Sequence, residues 1–222
     1  MTWKVLTYFG DSMLLLPTAV IIALIMPWKS DNRRAVWYWL LAFGLAGLIV
    51  SVSKILFMAF GIGSARYNFT GFSGHSAMSA TLWPVMLWLL SGRLPPVWRR
   101  ITLVIGYLIP LMVGVSRLAI HAHSVSEVIA GLILGYTLSS LFLLSQRRSQ
   151  LKGFNLPQIG AALLVPLLIM GHGRIATTQS FLEHLSMNLA GLEKPWTRSD
   201  LLKLRQPTSH AVGAPQSDTA PL

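Results

Sequence analysis

The sequence has no cysteine, little charge and very few acids. With no cysteine among 222 residues, disulfides and thiolate chemistry are excluded, and cysteine usage carries no sign of the redox compartment. Charged residues make up 11%, against about 25% in an ordinary soluble domain. What stands in their place is apolar: 53% of the chain is hydrophobic, and the mean hydropathy is +0.58. These values place the chain in the membrane class before any motif is read. The formal net charge of +11 raises the possibility of a nucleic-acid partner, but position argues otherwise. The basic residues sit in short clusters between apolar runs, the pattern of cytoplasmic loops, so nucleic acid is not expected as a partner.

A transmembrane helix needs about 20 mostly apolar residues. Five segments qualify: 12–28, 35–60, 76–91, 101–118 and 125–145. A sixth, 155–171, is shorter and carries Pro157 and Pro166. The expected architecture is therefore an all-α integral membrane bundle of about six transmembrane helices, or five if the last segment does not span. The first segment does not read as a cleavable signal peptide, because it lacks a basic leader beyond Lys4 and an A-x-A-like site. Lys29, Arg33 and Arg34, then Arg93, Arg99 and Arg100, then Arg147, Arg148 and Lys152 occupy alternate connections. By the positive-inside rule those three are cytoplasmic, so the 61–75 and 119–124 connections and the N-terminus face outward. Trp28, Trp37 and Trp39 are candidates for interfacial belts, with other tryptophans packing inside. The expected division is a membrane domain at 1–171 and a polar, extracytoplasmic tail at 172–222. Within the tail, Phe181 to Leu204 has a helical rhythm suited to a membrane surface, and Gln206 to Leu222 is rich in Pro, Ser, Thr and Ala, as disordered segments are. No internal repeat is visible.

Polar and ionisable residues gather at the outer ends of segments two to five: Lys54, Arg66, Ser73, His75, Ser116, Arg117, His121, His123 and Glu127. A charge within a span costs about 2.5–3.5 kcal/mol on insertion scales, which makes each a functional candidate. Cations and histidines with a single carboxylate suit an anionic substrate.

Phe72-Ser73-Gly74-His75 opens the third segment. A helix N-terminus offers free N–H groups and a positive dipole end to a phosphate, Ser73 can add a hydroxyl, and Gly74 admits close approach. His75 is placed to act as a general acid toward a leaving oxygen. The competing reading makes Ser73 a plain N-cap. Farther on, Arg117 supplies a planar fork for phosphate oxygens. His123 and Glu127 are four apart and share a helix face, so the carboxylate can hold one imidazole nitrogen and leave the other free to attack phosphorus. Ser124-x-x-Glu127 is also a capping box, a second use for the same carboxylate. His121-x-His123 with Glu127 is a poor metal site, since no further Asp, Glu or Cys lies near in sequence to complete a shell. His121 reads better as an interfacial or supporting histidine than as a catalytic one.

Ser116-Arg117, five residues, His123, three residues and Glu127, with Ser73-Gly74-His75 upstream, resemble the type 2 phosphatidic acid phosphatase family, which also includes the vanadium haloperoxidases. The family signatures are a Lys followed by Arg-Pro, a Pro-Ser-Gly-His and a Ser-Arg-x5-His-x3-Asp. The resemblance covers about 54–135. Phe72 stands where the family has proline, Glu127 where it has aspartate, and Tyr67 follows Arg66 where proline is expected, with Lys54 and Arg66 farther apart than in the pattern. Lys54 and Arg66 have a second reading as interfacial anchors that snorkel to the headgroups. The resemblance implies a metal-independent, cofactor-free phosphohydrolase of lipid phosphates or diphosphates, working through a phosphohistidine. The glycerophospholipid phosphates and polyprenyl diphosphate carriers of a bacterial inner membrane are the implied substrates, met on the face toward the periplasm or exterior. It implies His123 as nucleophile, Glu127 as its orienting carboxylate and His75 as the acid, with Lys54, Arg66, Ser73, Gly74 and Arg117 binding the phosphoryl oxygens.

Three rival readings carry their own signals. A phosphotransferase would share every one of these residues and differ only in what meets the phosphohistidine. Gly71-Phe72-Ser73-Gly74 fits the G-x-S-G of rhomboid intramembrane proteases, with Ser73 as nucleophile, but leaves Lys54, Arg117 and Glu127 without a role. A small transporter or assembly factor would use Gly131-x-x-x-Gly135 for helix packing, but would place its ionisable residues nearer the midplane.

Overall fold

Local chemistry marks where each helix begins and ends. In the computed structural model, which describes residues 2–29, 32–147, 157–158, 164, 168 and 178–203, a short helix α1 (Thr2–Tyr8) turns into α2 (Ser12–Lys29). Asp11 caps α2, its carboxylate accepting the Met13 N–H at 2.9 Å. The next helix, α3 (Ala35–Phe60), stops at Gly61, whose left-handed φ of 67° lets Gly61 and Ile62 return hydrogen bonds to Phe57 and Leu56. Ser73 caps α4 (Gly74–Leu90), a 3-10 turn at Ser91–Arg93 leads into α5 (Pro96–Ala119) with proline at its first position, and Ser124 caps α6 (Val125–Ser145). Two further helices, α7 (Thr178–Ala190) and α8 (Arg198–Lys203), follow.

The architecture is an all-α membrane bundle. By length and composition, four helical stretches among the described residues can cross a membrane: Val5–Lys29, Ala35–Phe60, Pro96–Ala119 and Val125–Ser145. The fifth expected span is α4, at 17 residues the innermost element, with Ser76, Ser79, Thr81, Leu82, Val85 and Met86 all buried. Its small and hydroxylated residues satisfy themselves locally, as where Thr81 donates to the Ala77 carbonyl at 2.9 Å, and let neighbours come close. The Gly131-x-x-x-Gly135 stripe of α6 lies against this helix. A Cβ at Gly131 would sit 2.8 Å from the Ser73 carbonyl, and one at Gly135 would overlap the Ala77 carbonyl and the Ala80 methyl. The motif is thus a packing face. Leu41, Leu48, Val104, Leu108, Ile129 and Ile133 point outward, an apolar belt suited to lipid.

The five span boundaries agree with expectation to within a few residues, except that α5 begins at Pro96, five residues early. The sixth segment, 155–171, lies outside the described residues but for positions 157, 158, 164 and 168, and so does the 206–222 end of the tail. Trp28 and Trp37 are exposed as belt residues would be, whereas Trp39 is a core residue, fully buried, with its indole N–H donating to the Ala19 carbonyl at 3.0 Å and its ring against Phe142. The helix in the tail does more than follow a surface. It buries Leu182 with Leu201 against Phe57 and Met58 at the end of α3.

Candidate active site

Alternating chain direction brings the ends of α3 and α5 to the same end of the bundle as the starts of α2, α4 and α6. Lys54 lies two turns before the end of α3, His75 in the first turn of α4, Arg117 in the last turn of α5, and His123 and Glu127 at the entrance to α6. Lys54, Gly74, His75, Arg117 and His123 line one cavity of about 640 Å³. The cavity is two-sided. Its polar end carries these groups with Asp11, Glu183 and Arg198, and its apolar wall is made of Leu15, Leu16, Val50, Phe57, Met58 and Met78 from α2, α3 and α4. The basic residues Arg33, Arg34, Arg93, Arg99, Arg100 and Arg147 belong to the opposite ends of the same helices.

Glu127 is the hub. Its carboxylate is fully buried, and its two oxygens accept five hydrogen bonds. Oε1 takes the Thr70 N–H at 2.8 Å and the Thr70 hydroxyl at 2.6 Å. Oε2 takes the His123 Nδ1–H at 2.8 Å, the Ser124 N–H at 3.2 Å and an Arg198 N–H at 2.7 Å. The capping box and the His123 contact therefore coexist, and both are made by the same oxygen, Oε2. A carboxylate only accepts, so Nδ1 carries the proton and Nε2 is left free with its lone pair. Burial pushes the His123 imidazole below its usual range, with Lys54 and Arg117 adding to the effect and Glu127 opposing it. Burial thus favours the neutral ring.

Arg117 faces this imidazole with a donor to spare: its Nε is buried and has no hydrogen-bond partner among the described residues. A buried guanidinium N–H left unmatched is costly, and Arg117 itself lines the cavity. Its neighbour Ser116 does structural work, hydrogen-bonded to Thr7 of α1 at 3.1 Å. Lys54 donates to Gln179 of α7 at 2.8 Å. Ser73 is buried and acts as the N-cap of α4, its hydroxyl 3.0 Å from that of Ser76, while Gly74 and His75 reach the cavity. Its backbone N–H donates to the Glu127 carbonyl at 3.1 Å, tying the starts of α4 and α6 together.

Arg66 is not brought to the site. It is exposed on the 61–73 loop, with its guanidinium over the Tyr67 ring at 5.4 Å and outside the cavity lining. His121 is exposed in the turn after α5, with a left-handed φ of 55°. Among the described residues no three His, Asp or Glu side chains converge as metal ligands. Two partners of Glu127 carried no signal in the sequence: Thr70, on the loop before α4, and Arg198, 71 positions along the chain. Thr197-x-x-Asp200 is a legible helix start, with Asp200 accepting the Thr197 N–H at 3.0 Å, yet nothing in it points to residue 127.

The family model described as PAP2 superfamily matches residues 35–151. The chain belongs to the PAP2 superfamily. That stretch contains His75, Arg117, His123 and Glu127, so the site lies within the PAP2 region, whereas Arg198 lies beyond it. This PAP2 chain is 43% identical over 206 residues to an uncharacterised 22.5 kDa protein in the cps region of Klebsiella pneumoniae, covering 91% of this chain and 99% of the relative. It is 30% identical over 141 residues to phosphatidylglycerophosphatase B of Bacillus subtilis (strain 168), covering 60% of this chain and 68% of that one. Among solved structures it resembles the transmembrane PAP2-type phosphatidylglycerolphosphate phosphatase from Bacillus subtilis, with a TM-score of 0.52 and 27% identity over 66% of this chain and 76% of that one. PAP2 membership also removes the rhomboid protease reading, and with it the role of Ser73 as a nucleophile, since that hydroxyl is buried as a helix cap. The chain is a membrane-embedded protein of a phosphatase family.

Proposed function

We propose that this PAP2 protein removes phosphate from a membrane lipid phosphate or diphosphate through a phosphohistidine on His123, without a metal. The observation that carries the reading is the His123–Glu127 contact at 2.8 Å beside an Arg117 with an unmatched buried N–H, in one cavity. Nε2 attacks phosphorus in line with the leaving oxygen, and as the P–O bond breaks His75 gives that oxygen a proton. Water then attacks the phosphoryl group and returns a proton to His75. The P–N bond breaks, its electron pair returns to Nε2, and inorganic phosphate leaves. Arg117, Lys54 and the amide at Gly74 neutralise the growing charge on the phosphoryl oxygens. Positioned proton transfer of this kind contributes about 10²–10⁴-fold.

A lipid substrate is supported by the apolar side chains, Leu15, Leu16, Phe57, Met58 and Met78 among them, that line the same cavity as the polar groups. Phosphatidylglycerophosphate, the substrate named for the Bacillus subtilis relative, is a reasonable member of a test panel. Segregation of the arginines to the far end of the helices supports a site on the extracytoplasmic face of a bacterial inner membrane. The test is phosphate release from phosphatidic acid, phosphatidylglycerophosphate and a polyprenyl diphosphate by purified protein, beside His123→Ala. Release by the wild type alone supports the reading, and equal rates overturn it.

A further inference from the structure

The segment beyond the family match does not hang free of the site. Trp196 donates its backbone N–H to the Met58 carbonyl at 2.9 Å, and its ring lies over Gly61, where a Cβ would come within 3.1 Å. Leu182 of α7 and Leu201 of α8 are buried against Phe57 and Met58. The strap formed by α7 and α8 is thus clamped to the end of α3, and the residue it delivers is Arg198. One arm of the Arg198 fork donates to the Glu127 Oε2 at 2.7 Å, and the other donates to the Asn68 side chain at 3.0 Å. It thereby joins three separate pieces of chain: the strap, the 61–73 loop and the entrance to α6.

We propose that Arg198 is a positioning residue of the active site: by pairing with Glu127 it holds the carboxylate that orients His123 and offsets the charge that would otherwise draw a proton onto the imidazole. The role in catalysis rests on the phosphatase reading above; the effect on the imidazole does not. A fully buried carboxylate facing a neutral ring needs a cation, and leaving one unpaired is strongly destabilising. Of the cations at the polar end, Lys54 on α3 is hydrogen-bonded to Gln179, and the Nε of Arg117 on α5 has no hydrogen-bond partner among the described residues, whereas Arg198 makes the ion pair. The other titratable groups around the cavity are Asp11 before α2, His75 on α4 and Glu183 on α7. With Arg198 in place, Glu127 can accept from Nδ1 without making His123 an imidazolium.

The test compares Arg198→Gln and Arg198→Lys with wild type in the full-length, detergent-solubilised protein. Turnover is measured as the pH profile of kcat/KM on phosphatidic acid in mixed micelles. In parallel, NMR of 15N-imidazole-labelled protein follows the titration of His123 without any need for turnover. Arg198→Gln is expected to move both the acid limb and the His123 midpoint up by roughly one pH unit. It is also expected to lower kcat/KM near neutrality roughly tenfold. Arg198→Lys should restore both limb and midpoint toward wild type, which a defect in folding would not do. A midpoint and profile in Arg198→Gln superimposable on wild type would overturn the proposal. A wild type inactive on every lipid phosphate would strike the phosphatase reading, while the NMR titration would still decide what Arg198 does to His123.

Discussion

Glu127 and His123, four residues apart at the entrance to one helix, meet at 2.8 Å through Oε2 and Nδ1. The same oxygen also accepts the Ser124 N–H, so the bond that starts the helix and the bond that sets the imidazole tautomer share one atom. The orientation of the His123 imidazole is thereby built into the formation of α6.

This sharing predicts a large and specific effect of Glu127→Gln. The amide keeps the shape but presents one donor end, so it cannot serve the Thr70, Ser124, His123 and Arg198 donors together. The kcat should fall by about 10²–10⁴-fold, with a much smaller change in KM, because the lost contact governs tautomer and aim rather than phosphate binding. Steady-state kinetics on a lipid phosphate measure this directly.

The direction of the His123 shift sets a pH dependence. Burial first, then the cations Lys54 and Arg117, outweigh Glu127, so the neutral ring persists below the ordinary histidine value near 6.5. Half-protonation of the ring therefore falls below that pH, and activity that needs the neutral imidazole should decline as the pH drops through it. The imidazole midpoint by NMR should lie under 6.5, a reading independent of the phosphate's own second ionisation near 6.

The two arginines that the sequence offers for phosphate binding should behave differently. Arg117→Lys loses the fork and leaves a point charge in its place, and kcat/KM together with vanadate affinity should drop by roughly 10–100-fold. Arg66→Ala removes an exposed stack on Tyr67 worth about 0.5–1 kcal/mol, away from the cavity, and should leave kcat/KM within about twofold. Parallel assays of the two variants settle the assignment.

Stability should be sensitive at Gly135. A leucine there would drive its Cβ into the Ala77 carbonyl and the Ala80 methyl of α4, and overpacking of this kind costs about 1–3 kcal/mol or more. Thermal unfolding of Gly135→Leu in detergent should show a clearly lowered midpoint, whereas a leucine at Gly44, where nothing lies within 4 Å of the added carbon, should be tolerated.

Much of this was open to a reader of the sequence, for local reasons. Hydropathy located α2 to α6, and the helix ends lie close to where caps such as Ser73, Ser124 and Gly61 place them. The motifs carrying His75, Arg117, His123 and Glu127 sit at helix ends, so alternating chain direction alone brings them together. The rest depended on contacts between distant parts of the chain. Arg66 is the nearest candidate for the family's arginine despite its wider spacing from Lys54, but its loop turns it outward onto Tyr67. Trp39 looks like a belt residue by position along α3, yet the rotation of that helix points it inward at Ala19 and Phe142. Arg198 reaches Glu127 only because Leu182, Leu201 and Trp196 fasten the strap to α3, a relation across 71 positions that no local pattern encodes.

The central claim is covalent chemistry at one nitrogen, and it can be caught in the act. Protein mixed with 32P-labelled phosphatidic acid and quenched in alkali within the first turnovers should carry label on a peptide containing His123, stable to base and released by acid, with none in His123→Ala. An unlabelled wild type that still releases phosphate, together with a His123→Ala variant that turns over at the same rate, would contradict the account.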